Sequence, residues 1–209
     1  MNIFETIKQE TEKLGGKIAV IEGDDRLTYG ELLASAEQFA GTLREKGVGR
    51  LHRVGLLCDD SIDYIIASLA ILSLSAVVVP VSPEQTDEEI ETVIERIDVD
   101  FLIAEPRLRR GGYGDILKAA GSLKKDFLIV KRTVRERPKA EYFRLNPAFI
   151  RFSSGTTGAS KGVVLSHEAI IERTDAADKG LCVTSGDTVL WVLSMSYHFV
   201  VTILLFLRR

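Results

Sequence analysis

Residues 75–83, which read SAVVVPVSP, place four valines in a run without polar–apolar alternation. A continuously apolar strand is typical of a sheet that is covered on both faces, as parallel sheets are. The stretches RVGLLCDD, DFLIAE and DFLIVKR are of the same kind, and amphipathic helical patterns separate them. Repeated strand–helix units of this type predict an α/β fold with a doubly wound, mainly parallel sheet and flanking helices.

The helices carry recognisable start and stop signals. The helix that starts near Tyr29 should end at Gly47, and SIDYIIASLAILSL should be a buried helix capped by Ser61. Thr86 and Glu89 have the spacing of a capping box. A further helix is predicted near residues 116–120.

The composition is that of an ordinary globular protein. The chain has 209 residues, of which 45% are hydrophobic and 27% charged, and its formal net charge is −3. This charge excludes a general attraction to nucleic acid or to anionic membranes. Cys58 and Cys182 lack metal-ligand spacing, so both are predicted to be buried, reduced thiols. The sequence shows no signal peptide, which predicts a cytoplasmic location.

The C-terminal stretch 189–207 is strongly apolar and long enough for a membrane span. Polar residues interrupt its middle, so we predict a buried strand with Trp191 in its core, a polar loop and the start of a buried helix. The chain would then stop inside an element. We therefore expect residues 1–209 to form part of a larger domain with a junction near 132–147, and the bare apolar end to promote self-association.

The stretch 153–162, SSGTTGASKG, has the composition of an anion-binding loop. Its glycines permit turns that aim successive backbone N–H groups into one concavity. Its hydroxyl groups add donors, and its lysine adds a positive charge. The candidate phosphate-binding residues are Ser153, Ser154, Gly155, Thr156, Thr157, Gly158 and Lys161.

This loop has two other interpretations. A Walker A loop requires Gly-Lys-Ser/Thr at its end and opens a helix, whereas here Ser160 precedes Lys161 and the strand-like VVLS follows. A structural hairpin without a ligand stays open as the simpler interpretation. The loop is therefore predicted to join two strands and, by its composition, to hold a polyphosphate.

The sequence SSGTTGASKGVVLSH resembles the phosphate-binding signature of the adenylate-forming superfamily, which comprises acyl-CoA synthetases, peptide-synthetase adenylation domains and luciferases. Other blocks agree in order. LTYGEL at 27–32 resembles an early family block, and SLAILSLSAVVVPVSP at 68–83 resembles a later one. SMSYHF at 194–199 is similar to the block that lines the family's substrate site, although Ser194 stands where proline is common. The resemblance covers the whole chain as the N-terminal portion of the family's large domain, without the C-terminal lid domain.

This resemblance implies an ATP- and Mg²⁺-dependent ligase. A carboxylic acid would attack the α-phosphate of ATP and release pyrophosphate, and the acyl-adenylate would pass to the thiol of CoA or phosphopantetheine. The seven loop residues would contact the β- and γ-phosphates, with Lys161 stabilising the leaving group. His198 would lie near the carboxylate and the α-phosphate. No metal ligand is assigned to a residue of this chain.

Several family blocks have no counterpart in the 209 residues: the glutamate block YGxTE, the ribose-binding block YxTGD and the C-terminal catalytic lysine. The chain alone is therefore expected not to form acyl-adenylates. The alternative is a noncatalytic nucleotide- or anion-binding module that acts with a partner chain. The acid and the thiol acceptor are not specified by these residues.

Overall fold

A computed structural model describes residues 1–108, 115–119, 123–133, 140–153 and 161–209. The helices are α1 (Ile3–Glu10), α2 (Tyr29–Glu45), α3 (Ile62–Ser73), α4 (Asp87–Ile97), α5 (Ala140–Arg144), α6 (His167–Leu181), α7 (Met195–His198) and α8 (Leu204–Leu207). A π-helical turn, Phe199–Ile203, joins the last two. The strands are β1 (Ile18–Glu22), β2 (Asp25–Thr28), β3 (Arg53–Leu57), β4 (Val77–Val81), β5 (Phe101–Ala104), β6 (Asp115–Ala119), β7 (Phe127–Lys131), β8 (Pro147–Ser153) and β9 (Lys161–Ser166).

Seven strands form the main sheet, in the order β6-β7-β5-β3-β4-β8-β9. The pairs β5-β3, β3-β4 and β4-β8 are parallel. Strand β7 is antiparallel to both β5 and β6, and β9 is antiparallel to β8. Five strands therefore run in one direction, and the predicted mainly parallel α/β sheet is confirmed. A separate antiparallel hairpin, β1-β2, lies outside this sheet.

The valines of β4 contribute side chains to the apolar cores on both faces of the sheet. Val78 belongs to the core that includes residues of α1, α2, α3 and α6, whereas Val77 and Val79 belong to the core under α4. All three are fully buried. Because successive side chains of a strand point to opposite faces, an uninterrupted apolar strand supplies both cores at once.

The predicted helix signals are confirmed. The Ser61 hydroxyl accepts a hydrogen bond from the Tyr64 N–H (3.3 Å) at the start of α3. Thr86 and Glu89 form both bonds of a capping box at the start of α4. Gly47 has a φ of +91°, a conformation that glycine adopts without a steric penalty, just after α2 ends.

The helix predicted near residues 116–120 is wrong. Residues Asp115–Ala119 form strand β6, which pairs with β7 from Asp115↔Lys131 to Ala119↔Phe127. This segment is too short to stabilise a helix in isolation, and β7 offers an edge with backbone groups to pair. The pairing partner therefore decided the local conformation.

The strand predicted at the start of 189–207 is also wrong. Leu190 is 85% exposed and Val192 is 78% exposed, in a stretch without regular structure. Trp191 is half-buried and is not in a strand. The later part is helical and buried as predicted, with Leu204, Leu205 and Leu207 at most 3% exposed. The expected bare apolar face is therefore absent from this C-terminal helix, and exposed apolar side chains lie at 189–193 instead.

Two other expectations are decided by burial and helix length. Cys58 is buried and reduced, but Cys182 is exposed at the end of α6. The prediction of a buried thiol is thus right for Cys58 and wrong for Cys182. In the described ranges, none of the helices combines the length and apolar character that a membrane crossing requires.

Candidate functional site

The hairpin β8–β9 flanks the predicted phosphate-binding loop. Its ladder of paired residues runs from Pro147↔Ser166 to Ser153↔Lys161. Ser153 and Lys161, the first and last of the predicted phosphate-binding residues, are therefore partners across the hairpin. The prediction that the loop joins two strands is confirmed, and Lys161 opens a strand rather than a helix. The other candidates, Ser154, Gly155, Thr156, Thr157 and Gly158, lie outside the described residues.

The hairpin is anchored through β8. Phe149 is fully buried in the core shared with α1, α2 and α3, and Ile150 is 6% exposed in the core under α4. Strand β8 pairs in parallel with β4 through Val78↔Phe149. The middle of β8, a few residues before the loop, is thus held by packing on both faces of the sheet.

His198 lies on a short helical turn, Ser194–His198, that two polar side chains hold. The Asp60 carboxylate, just after β3, accepts a hydrogen bond from the Met195 N–H (2.8 Å). The Arg151 guanidinium on β8 donates to the Tyr197 carbonyl. Burial raises the pKa of the Asp60 carboxyl, and the nearby Asp59 and Glu84 carboxylates add to this effect, while the Met195 N–H opposes it.

The His198 imidazole is exposed to solvent beside Trp191, with 6.3 Å between the ring centroids. It therefore lies outside the core, although a lone histidine in an apolar run is more often a core residue. The two residues next to His198 in the chain differ in burial. Tyr197 is 41% exposed, whereas Phe199 is buried against the rings of Tyr64 and Phe149, at centroid distances of 5.5 and 6.1 Å.

A small cavity of about 20 Å³ lies between the carboxyl ends of β4 and β8 and the His198-bearing turn. This is room for about one water molecule. Its lining is mixed polar and apolar, and it consists of Pro80, Ser82, Gln85, Val93, Arg151, Phe152, Ser196 and Tyr197. The carboxyl ends of parallel strands are where ligands bind in open α/β sheets, so the turn and the hairpin occupy the expected edge.

A second polar cluster lies at the carboxyl ends of β3 and β5. The buried Glu105 carboxylate accepts hydrogen bonds from the Cys58 thiol (3.2 Å), the Asp59 N–H (3.0 Å) and the Lys125 ammonium (2.9 Å). Burial opposes ionisation of Glu105, but these donors outweigh it and lower its pKa. Burial raises the pKa of the Cys58 thiol. The polar groups of this cluster form hydrogen bonds with one another, and the Cys58 thiol is unreactive because its raised pKa disfavours the thiolate.

In the described ranges, no group of three or more His, Cys, Asp or Glu side chains is arranged to hold a metal ion.

Comparison with known proteins decides the family. The sequence model described as AMP-binding enzyme matches residues 7–208, which is nearly the whole chain. The chain belongs to the AMP-binding enzyme family. The resemblance to adenylate-forming enzymes is thereby confirmed, and members of this family are ligases.

The similar proteins are peptide synthetases and CoA ligases. Tyrocidine synthase 3 of Brevibacillus parabrevis is 27% identical over 205 residues, which is 96% of this chain and 3% of that protein. A long-chain-fatty-acid-CoA ligase (FadD1) from Archaeoglobus fulgidus has a TM-score of 0.76 at 20% identity, over 99% of this chain and 45% of its own. The N-terminal domain of FACL13 from Mycobacterium tuberculosis has a TM-score of 0.78 at 23% identity, over 99% and 55%.

The chain covers only part of each protein that it matches. The chain spans about half of each solved structure and 3% of tyrocidine synthase 3. The two structural similarities, both under 25% identity, support the fold of the N-terminal part of an adenylate-forming enzyme.

Asp60 and Arg151 are not among the site residues predicted from the sequence. Asp60 had a usable signal, because it follows a buried parallel strand in RVGLLCDD, at the edge where such folds bind ligands. Arg151 had none, since its partner is a backbone carbonyl 46 residues away.

Proposed function

We propose that the chain supplies the phosphate-binding part of an ATP-dependent carboxylate–AMP ligase of the acyl-CoA synthetase type. The observation that carries this proposal is the β8–β9 hairpin, whose Ser153↔Lys161 pair flanks a Gly/Ser/Thr-rich loop in a member of the AMP-binding family. The substrate would be a small-molecule carboxylic acid, and the thiol acceptor would be CoA or phosphopantetheine.

In the proposed first step, a carboxylate oxygen attacks the α-phosphorus of Mg·ATP. The bond from the α-phosphorus to the bridging oxygen breaks, and its electron pair leaves with pyrophosphate. Charge therefore grows on the β- and γ-phosphates. Backbone N–H groups and hydroxyls of residues 153–158, together with Lys161, would stabilise that charge.

His198 is proposed to act at the other end of the reaction, near the carboxylate and the α-phosphate. Its exposure supports this role, because a buried imidazole could not reach a substrate. In the second step, a thiolate would attack the acyl carbon and release AMP. Nothing in the described residues selects between CoA and phosphopantetheine.

These 209 residues alone are proposed to bind phosphate groups without forming acyl-adenylate. They lack counterparts of the YGxTE and YxTGD blocks, so the ribose and the metal would be held incompletely. We also propose that the chain is a partial large domain with a junction near residues 132–147.

The test is calorimetric titration with pyrophosphate and with Mg·ATP. Lys161→Ala is expected to weaken pyrophosphate binding at least about tenfold, because a charge-assisted contact is removed. Gly155→Val should also weaken it, because a side chain would block close approach of the backbone. The control is Lys179→Ala, which removes an exposed lysine from α6 and should change nothing.

An unmodified chain that binds neither ligand would contradict the phosphate role, as would equal binding by all variants. Carboxylate-dependent exchange of pyrophosphate into ATP by the 209 residues would contradict only the proposed inactivity.

A second candidate function is a noncatalytic nucleotide- or anion-binding module that acts with a partner chain. The exposed apolar stretch at 189–193 favours it, because Leu190 and Val192 would be covered by a partner. The gene sequence downstream of codon 209 discriminates between the two: the YGxTE and YxTGD blocks in the same frame would support the ligase, and a natural stop after codon 209 would support the module.

A further inference from the structure

Two side chains bracket the His198-bearing turn from opposite ends. Asp60 accepts the Met195 N–H at the start of the turn, and Arg151 donates to the Tyr197 carbonyl at its end. Asp60 follows β3 and Arg151 lies in β8, so the turn is tied to two strands of the sheet.

Apolar packing alone does not fix this turn. Tyr197 and His198 are exposed, and the stretch before the turn includes the exposed Leu190 and Val192. Phe199 is the first large apolar side chain of this segment that is fully buried, and it packs on Phe149 of β8. Ahead of Phe199, Met195 and Trp191 are only partly buried where they pack against the core, so the polar contacts of Asp60 and Arg151 also hold the turn.

Arg151 also connects the turn to the proposed phosphate site. It is two residues before Ser153, where the candidate loop begins, and it lies two residues after Phe149 on the same strand. Since alternate residues of a strand share a face, Phe149 and Arg151 reach the C-terminal segment side by side. A displacement of the end of β8 would thus be carried to the backbone next to His198.

We propose that Arg151 is a positioning residue that fixes the His198-bearing turn on β8, and so sets the imidazole relative to the end of that strand. The link to catalysis rests on the proposed function, whereas the positioning itself does not. Arg151 acts through the Tyr197 carbonyl and touches no reacting atom in this proposal.

The test is amide hydrogen exchange of the ligand-free chain, read at Tyr197, His198 and Phe199. Their N–H groups bond to the Ser194 and Met195 carbonyls within the turn. In Arg151→Met, exchange at these amides should be about tenfold faster, the factor expected when a hydrogen bond from a charged donor is lost. Amides of α3 should be unchanged.

Two further variants sharpen this measurement. Arg151→Lys keeps the charge and one donor, and it should restore most of the protection. Arg44→Met removes an exposed arginine from α2 and should have no effect on the turn. Unchanged exchange in Arg151→Met would overturn the proposal. So would unfolding of the whole chain, because Arg151 would then support the fold rather than one turn.

A pyrophosphate titration, followed through the His198 ring resonances, separates this proposal from the proposed function. If calorimetry shows that the unmodified chain does not bind pyrophosphate, the phosphate role fails while the exchange result still decides the role of Arg151. If the chain binds and the His198 resonances respond, Arg151→Met should bind pyrophosphate within about threefold of the unmodified chain but lose most of the His198 response. A large loss of affinity with unchanged exchange would make Arg151 a direct phosphate ligand and overturn its positioning role.

Discussion

His167 gives the sharpest stability prediction, because it is a buried histidine with one satisfied nitrogen. It is the first residue of α6 and is 1% exposed. Its Nδ1 accepts a hydrogen bond from the Ile3 N–H (3.1 Å), so the neutral ring carries its proton on Nε2. This contact ties the start of α1 to the start of α6.

Burial lowers the pKa of His167 from 6.5 to about 4. The Glu168 carboxylate opposes this shift, and the chain's N-terminal ammonium adds to it. Protonation would also place a second donor against the Ile3 N–H. The folded state therefore binds fewer protons than the unfolded state between these two pKa values, so acid favours unfolding.

The size of the effect follows from the two pKa values. The stability contributed by neutral His167 is fully present above pH 6.5 and is lost as the pH falls towards 4. The whole loss is about 3 kcal/mol, and about 2 kcal/mol of it has occurred at pH 5.

The assay is urea unfolding at pH 7.5 and pH 5 of the unmodified chain and of His167→Asn. The asparagine Oδ1 can take the place of Nδ1 as an acceptor and does not titrate. We expect the drop in unfolding free energy between the two pH values to be smaller in the variant by about 2 kcal/mol. His52→Asn is the matched control, because the half-buried His52 also accepts a backbone N–H, that of Gly49 (3.0 Å). The reasoning is refuted if His167→Asn and the unmodified chain lose the same stability.

Two further predictions concern the surface and the buried carboxylate cluster. Light scattering at rising concentration should show self-association of the unmodified chain. The double variant Leu190→Glu, Val192→Glu should abolish it, because these side chains are the most exposed apolar groups of 189–193. A monomeric unmodified chain would contradict this prediction. Glu105→Gln should lower the unfolding free energy by about 2 kcal/mol, since the donors to this buried carboxylate, including the half-buried Lys125, lose a charged acceptor. Glu37→Gln, which removes an exposed ion pair, should cost under about 0.5 kcal/mol, and equal losses would contradict the assignment.

Much of the secondary structure could be predicted because its causes are local. Ser61, Thr86 and Glu89 cap helices through backbone groups only three residues away. The continuous valines of β4 needed a sheet covered on both faces, whichever helices covered it. The strands on both sides of the candidate loop were likewise evident from residues 147–166.

The candidate site was only partly predictable. The loop residues and His198 stood out through motifs, and their roles remain predictions. Asp60 and Arg151 act on backbone groups 135 and 46 residues away, and such contacts leave no periodic or compositional trace in the sequence.

By itself, the sequence determined the layered α/β fold, its main caps and the strand–loop–strand around residues 153–161, because each follows from neighbours in the chain or from alternation along one element. Only the tertiary structure decided residues 115–119 and 189–193. The first became a strand because β7 offered it an open edge. The second stays irregular because no described strand pairs with it, and a strand is stable only when a neighbour takes up its backbone hydrogen bonds.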